Sequence, residues 1–411
     1  MVRKQRYRSV GLMMGVTVAL AAGAAPALAT DEPAAPGFSP GSFIFNEPDM
    51  TLFFDMDRMA ALGAKWVRLD IPWASIEEVE GRFYWDSTDR LVHAARQRGM
   101  RVVGILHTAP SWARAPGTSF LSPPRDLQKW TRFVRAAVQR YAANVTVWEV
   151  WNEPNISLFW DPQPDPATYT ALLKETYAAV HGSAAGRTVL FGGLAPAADR
   201  TDGKEISPLT FLRRVYAEGG KGSFDAMAIH PYSYPALPTD PTTSSWNQFQ
   251  KLPEIRTVMV ENGDGHKKVW LTEYGAPTGT APGAVTEQTQ AASVSEAYKA
   301  AAQWTWVGPL LWYSHRDSGT DLVDREQNFG LLHHDFTPKS AVRTFAATTG
   351  VSRAPIGDYN GDGKTDVAVF RPSTGTWYIR GGNPAEIGFG ISTDVPVADV
   401  LTRTLLLRLR P

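Results

Sequence analysis

The sequence predicts a (β/α)8 barrel over residues 40–350, followed by a small β appendage. Apolar segments of strand length alternate eight times with longer segments of helical spacing, a pattern typical of parallel strands joined by crossover helices. Eight such units close into a barrel of about 250 residues or more. A doubly wound open sheet is disfavoured, because no glycine-rich phosphate-binding turn follows any strand and Gly192-Gly193 lacks the rest of that motif.

The predicted strands are short runs rich in β-branched and aromatic residues. They are 41–45, 65–73, 101–107, 145–151, 188–194, 224–230, 268–272 and 307–313. The helices follow from apolar spacing between these runs. They are 55–62, 85–99, 126–142, 165–181, 208–218, 246–261 and 286–304. A last helix is predicted to begin at Thr337-Pro338, with Thr as the N-cap and Pro in the first helical position.

The first 29 residues have the composition of a signal peptide. Arg3, Lys4, Arg6 and Arg8 precede an apolar stretch, and Ala27-Leu28-Ala29 matches a cleavage site. We therefore expect secretion to the extracellular space, with an uncleaved membrane anchor as the alternative. Residues 30–39 are rich in Pro and Ala and are expected to form a disordered leader.

Composition narrows the function classes further. The 411-residue chain has no cysteine, which excludes disulfides and cysteine-based metal sites. Its 41 basic and 41 acidic residues balance, so nothing favours nucleic acid as a partner. After cleavage we expect a mildly acidic monomer that does not bind membranes.

Two glutamates stand at the ends of matched predicted strands. Glu153 follows the run 145–151 and precedes Pro154, which cannot donate to a sheet ladder. Glu273 ends the run 268–272 and precedes a glycine turn. They are 120 residues apart, about four strand-plus-helix units. The pair could face each other across one cleft, which is the arrangement that glycoside hydrolysis needs. For either glutamate alone, a helix cap or a surface ion pair is the alternative.

The residues around this pair resemble a known group of enzymes. Trp151-Asn152-Glu153-Pro154, followed by Thr272-Glu273-Tyr274-Gly275, resembles the retaining glycoside hydrolases of clan A. Within that clan the sequence is most similar to family 39, over roughly residues 40–350. The resemblance implies that Glu153 is the catalytic acid/base and Glu273 the nucleophile. It implies no cofactor for catalysis and a carbohydrate as substrate.

The same resemblance implies a set of substrate-binding residues. Asn152 matches the position that binds the sugar 2-hydroxyl, and Arg68 matches an arginine that keeps the nucleophile ionised. His230 and Tyr232 match positions after the sixth strand, where the tyrosine orients the nucleophile. Trp312 matches the aromatic platform for the sugar, and His107 is expected to contact a sugar hydroxyl.

A further glutamate, Glu149, lies four residues before Glu153, so the two side chains should point to the same face of the strand. Glu149 should point into the barrel, and we interpret it as a buried partner for Arg68 because an unpaired buried charge is costly. The loop 314–329 is long and polar, and ordered loops of this length are usually functional. Whether the loops form an open groove or a closed pocket stays open, and with it endo or exo cleavage.

The C-terminal segment carries a separate signal. After a linker at 351–356, residues 357–366 resemble a calcium loop, with a Gly at position 6. Its oxygen ligands would come from Asp358, Asn360, Asp362, the Lys364 carbonyl and Asp366. Val369 occupies position 12, so the loop is not an EF-hand.

Strands are predicted at 367–370 and 376–379, and residues 357–411 are similar to one FG-GAP/VCBS-like repeat. Such repeats occur in arrays. No second acidic loop follows, and a truncated or frame-shifted array is one explanation. We therefore expect a structural Ca²⁺ in this loop. The alternative is an Asp/Asn/Gly turn that binds no metal.

The sequence leaves three functions open. A secreted β-glycosidase acting on xylosides or other β-linked glycans is favoured by the retention of both glutamates. A family-5-like endoglucanase or mannanase is the nearer alternative, because the Trp-Asn-Glu-Pro motif does not separate the two. A non-catalytic glycan-binding surface protein is the more distant alternative.

Overall fold

The computed structural model describes residues 33–350 and, in the C-terminal segment, the backbone of 368–371, 376–379 and 386–388. Eight parallel strands form one sheet, in the order β5-β4-β3-β2-β1-β8-β7-β6. They are β1 Pro36–Phe38, β2 Trp66–Pro72, β3 Arg101–His107, β4 Val145–Val150, β5 Thr188–Leu190, β6 Met227–Ile229, β7 Val269–Tyr274 and β8 Val307–Trp312. Isolated parallel bridges, Leu190 to Ala226 and Leu194 to Ile229, join the two outer strands. The sheet is thus a nearly closed (β/α)8 barrel, as predicted.

Helices surround the sheet. They are α1 Asp49–Ala61, α2 Trp73–Ile76, α3 Asp86–Gln97, α4 Leu127–Arg140, α5 Pro166–Ser183, α6 Pro208–Ala217, α7 Leu252–Glu261, α8 Glu287–Ala302 and α9 Ala341–Thr348. Short 3-10 helices lie at Ser42–Asn46, Pro241–Thr243 and Arg325–Gln327. Several α-helices begin where side chains satisfy free backbone N–H groups. Asp126 caps α4 and Ser207 caps α6. No helix within the described residues is long and apolar enough to cross a membrane.

The lower half of the barrel, towards the N-terminal ends of the strands, is filled by a layer of buried apolar side chains. Trp66 and Trp270 cross edge to face at 4.9 Å between ring centroids. Glycines make room for them, because a Cβ on Gly308 would lie 2.8 Å from the Trp270 ring and one on Gly37 would lie 2.8 Å from Trp66 Cβ. With the lower half filled by side chains, polar chemistry is confined to the C-terminal ends of the strands.

The first strand lies earlier than predicted. The segment expected as strand one is the 3-10 helix Ser42–Asn46, whereas β1 occupies Pro36–Phe38, inside the expected disordered leader. Phe38 is fully buried and stacks on Phe345 at 4.6 Å. A three-residue strand containing Pro and Gly carries no strand signal, which explains the error.

The last helix also differs from the prediction. Thr337 donates from its backbone N–H and its hydroxyl to the Asp335 carboxylate, and Pro338 bridges to Leu332, so this segment is a turn. Helix α9 begins only at Ala341. Similarly, α7 begins at Leu252, because a series of turns occupies residues 244–251.

The C-terminal segment contains a small antiparallel sheet in the order β11-β10-β9. Its strands are β9 Ala368–Arg371, β10 Thr376–Ile379 and β11 Glu386–Gly388. The first two lie where strands were predicted. The predicted signal peptide, the linker 351–356 and the calcium loop with Asp358, Asn360, Asp362, Lys364 and Asp366 lie outside the described residues.

Candidate active site

Glu153 reaches the barrel mouth through an unusual turn after β4. Trp151 and Glu153 have φ angles of 71° and 45°, in the left-handed region that non-glycine residues rarely occupy. The surroundings hold this backbone in place. Glu153 N donates to Gly193 O at 2.9 Å, and the Trp151 indole donates to Phe159 O at 2.6 Å. Such strain clusters at functional sites.

Glu273 lies near the end of β7 and is held by two donors. Arg68 Nη1 donates to Oε1 at 2.6 Å, and the Tyr232 hydroxyl donates to Oε2 at 2.9 Å. Burial raises the pKa of Glu273, while Arg68 and the Tyr232 hydroxyl act in the opposite direction. Both donors stabilise the ionised carboxylate.

Glu153 has a different environment. Burial raises its pKa to about 8, against the opposing effect of Arg68. His230 Nδ1 and Glu153 Oε1 share a hydrogen bond of 2.8 Å. Burial also lowers the pKa of His230 to about 4, so the imidazole is neutral near pH 7. The neutral imidazole adds no positive charge to offset the burial, and Glu153 is therefore protonated at neutral pH.

A buried arginine links the pair to the barrel interior. Arg68 donates to both carboxylate oxygens of Glu149, from Nε at 2.8 Å and Nη2 at 3.0 Å. The predicted role of Glu149 as its buried partner is confirmed. Arg68 Nη2 also donates to Asn152 Oδ1 at 2.8 Å. Because one guanidinium serves Glu149 and Glu273, a third negative charge on Glu153 is disfavoured.

The structure brings most of the predicted site residues into one cluster: Arg68, Asn152, Glu153, His230, Tyr232 and Glu273. His107 lies at the end of β3, with Nε2 3.6 Å from Asp70 Oδ1, and burial lowers its pKa. Glu153 and Glu273 are close, since one carboxylate oxygen from each and one His230 nitrogen all lie within 4.8 Å of one another.

Two predicted substrate contacts are wrong. Trp312 is fully buried, and it packs edge to face on Tyr274 in the core between sheet and helices. Its neighbour Leu311 points into the barrel, so alternation along β8 directs Trp312 outward. His230 is also fully buried and supports Glu153 from below, so it cannot itself contact a substrate.

Two residues of the mouth were not among the predicted substrate-binding residues. Tyr313, next to the predicted Trp312, is partly exposed and lies 6.4 Å from the Tyr232 ring. The 3-10 helix Arg325–Gln327 brings the Arg325 guanidinium to 5.6 Å from the Tyr234 ring. Glu326 of that helix adds to the raised pKa of Glu153.

The carboxylates and imidazole could in principle bind a metal. Among the described residues, Glu153, His230 and Glu273 form the one group of three such side chains with converging ligand atoms. However, Arg68 already places its positive charge 2.6 Å from Glu273, which opposes a second cation. The cluster fits acid–base chemistry better than metal binding.

Comparisons with known proteins agree with this geometry. A family model described as "Glycosyl hydrolase family 10" matches residues 70–157. This segment includes Asn152 and Glu153. The barrel of this chain is similar in fold to those of solved glycoside hydrolases. No curated protein matches the sequence.

Solved structures with this barrel include three glycan-processing relatives. A family 39 glycoside hydrolase from the gut symbiont Bacteroides cellulosilyticus WH2 is 23% identical with a TM-score of 0.62, covering 79% of this chain and 65% of that one. A monomeric β-xylosidase from Caulobacter crescentus CB15 is 19% identical with a TM-score of 0.60, and the match covers 77% of this chain and 67% of that one. A GH5_18 protein from Streptomyces cattleya in complex with GlcNAc is 20% identical with a TM-score of 0.61, and the match covers 77% of this chain and 80% of that one.

At these identities the structures show the fold alone. This chain spans just under two thirds of the Bacteroides protein. Together with the family model, the matches support a hydrolase that acts on glycosides.

Proposed function

We propose that the protein is a retaining glycoside hydrolase that cleaves β-glycosidic bonds, with Glu273 as nucleophile and Glu153 as acid/base. One observation carries the proposal: an oxygen of one carboxyl group lies within 4.8 Å of an oxygen of the other. Retaining enzymes hold the two carboxyl groups about 5–5.5 Å apart, whereas inverting enzymes leave about 6.5–9.5 Å for a water molecule.

The first step forms a covalent bond between the enzyme and the sugar. Ionised Glu273 attacks the anomeric carbon while Glu153 donates its proton to the leaving oxygen, and the glycosidic bond breaks. Arg68 and Tyr232 hold the attacking carboxylate. Arg68 also fixes Asn152 Oδ1, which leaves the amide NH2 available to donate to a sugar hydroxyl.

The second step releases the sugar. Glu273 loses its charge when it becomes an ester, and Glu153 then ionises more readily. Glu153 takes a proton from water, the water oxygen attacks the anomeric carbon, and the bond to Glu273 breaks. Two inversions give overall retention of configuration.

The remaining expectations from the sequence accompany this proposal. They are secretion, a monomeric state, no nucleic-acid or membrane partner, no cofactor for catalysis, and Ca²⁺ in the segment 357–366. The substrate would be a xyloside or another β-linked glycan.

Product analysis tests the proposal. The full chain is incubated with aryl β-glycosides, including xylosides and N-acetylglucosaminides, and with β-linked polysaccharides, beside Glu273→Ala. Release by the wild type alone, with a β-configured first product seen by NMR, is expected. An α-configured product would contradict the retaining mechanism, and equal release by both proteins would contradict the role of Glu273.

A further inference from the structure

A groove of about 850 Å³ lies beside the C-terminal ends of β2 and β3. Its inner end is formed by Asp70 and His107, and Asp70 lies two residues after Arg68 on β2. The volume is near the upper end of the range for drug-sized ligands, about 300–1,000 Å³, so it suits more than one sugar ring. The groove is therefore placed to hold the part of a glycan that extends from the cleaved bond.

Aromatic faces line the walls of this groove. Tyr84 and Phe120 line it and remain 51% and 53% exposed. Phe43, on the 3-10 helix, also lines it and stacks on the buried His315 at 5.8 Å. Aromatic side chains that stay partly exposed in a cleft are available for contact with the apolar faces of a ligand.

The charge of the groove is negative. Asp70, Glu78 and Asp86 line it, and no lysine or arginine among the described residues does so. Glu78 and Asp86 are exposed, and within 33–350 neither forms an ion pair. His107 does not offset this charge, because burial lowers its pKa.

We infer that this acidic groove binds sugar units that carry an amino group in preference to neutral ones, and disfavours uronic acids. The inference rests on the proposed function, because the groove would present this part of the glycan to Glu153 and Glu273. An ammonium group gains attraction from the three carboxylates, whereas a uronate is repelled. The groove is partly open to solvent, so salt weakens the selectivity.

Three tetrasaccharides with the same β-1,4-gluco backbone separate the effect of ligand charge on binding from the effect of ligand shape. They are cellotetraose, the fully deacetylated amino tetrasaccharide of chitosan, and the C6-oxidised tetraglucuronate. Binding to full-length Glu273→Gln, which cannot turn them over, is measured by calorimetry below neutral pH. We expect the amino tetrasaccharide to bind about tenfold tighter than cellotetraose at an ionic strength of about 0.01 M, with most of this preference lost at about 1 M.

Variants then assign the preference to the groove. In the Glu273→Gln background, Glu78→Gln with Asp86→Asn should reduce the amino preference several-fold. Glu261→Gln, at the end of α7 outside the groove, is the matched control and should retain it. Equal binding of tetraglucuronate and cellotetraose, an amino preference that persists in the double variant, or no saturable binding of the amino tetrasaccharide would each overturn the inference.

These outcomes are separable from the proposed function. Glycoside turnover without charge selectivity would overturn the groove assignment alone. Charge-selective binding without turnover of any substrate in the panel would instead contradict the proposed catalysis.

Discussion

The ends of β4 and β7 present the same functional group in two different environments. Glu273 receives charged and neutral donors from Arg68 and Tyr232. Glu153 has a neutral histidine as its hydrogen-bond partner and a pKa raised by burial to about 8. The difference favours an ionised carboxylate at Glu273 and a carboxylic acid at Glu153, which is the division of roles that the proposed glycoside hydrolysis requires.

Removal of Glu273 should have the largest effect. Glu273→Ala deletes the nucleophile and should lower kcat by about 10⁴-fold or more, a loss typical of a group that acts as part of a catalytic unit. The measurement is release of an aryl leaving group under saturating substrate. Glu261→Gln, which removes an exposed carboxylate, serves as control and should leave kcat unchanged.

Azide sharpens this prediction. It is small enough to occupy the space that the alanine variant leaves, and it should restore turnover with an α-configured glycosyl azide as product. A β-configured azide, or a Glu273→Ala variant with wild-type turnover, would contradict the assignment of the nucleophile.

Glu153→Gln should have a smaller effect that depends on the leaving group. General acid catalysis contributes about 10²–10⁴-fold. We expect a loss in that range for alkyl glycosides, whose leaving oxygen needs a proton, and a smaller loss of bond cleavage for dinitrophenyl glycosides. A loss that is equal for both substrates would show that Glu153 supports the fold and does not donate the proton.

The pH profile of the wild type tests the same asymmetry. Glu153 must be protonated for the first step, so kcat/KM should fall as the pH rises through about 8. The high-pH decline should be absent in Glu153→Gln. A wild-type profile that declines near pH 5 would show that Glu153 is not held protonated.

Stability should depend on pH through the same group. The pKa of Glu153 is raised from 4.5 to about 8 in the folded state, so the folded state binds more protons than the unfolded state between these values. Stability from this group is fully present below pH 4.5 and is lost as the pH rises towards 8. Glu153→Gln should therefore gain on the order of 5 kcal/mol in unfolding free energy over wild type at pH 9, and little at pH 4.

Denaturant unfolding at the two pH values measures this gain. An unchanged difference between wild type and Glu153→Gln across the two pH values would contradict a buried, protonated carboxyl group.

The two catalytic glutamates could be predicted from the sequence, whereas other parts of the site could not. Glu153 and Glu273 were predictable because they end buried β-branched runs, and parallel strands bring such ends to one edge. The outward direction of Trp312 was not, because β8 has an extra residue between Val307 and Leu310 relative to β7, and this irregularity changes which alternate residues of β8 point inward.

Residues outside the strands were harder to predict from the sequence. Glu78 and Asp86 reach the acidic groove through the loop and helix start after β2, and their convergence depends on tertiary packing that has no local signal. The three-residue β1 was missed for the related reason that its pairing with β2 and β8, and not its composition, makes it a strand.

Tyr232→Phe should produce the smallest effect and the most specific one. The change removes one of the two donors to Glu273 while it keeps the ring and its contact with Phe329. A hydrogen bond to a charged group contributes about 1.5–3 kcal/mol, so its loss should raise the pKa of Glu273 by about one unit or more. The low-pH limb of kcat/KM should move upward by that amount, whereas the high-pH limb set by Glu153 should stay in place. Movement of both limbs would show that the two carboxyl groups titrate as one coupled pair, and the contrast between their environments would then be weaker than the structure indicates.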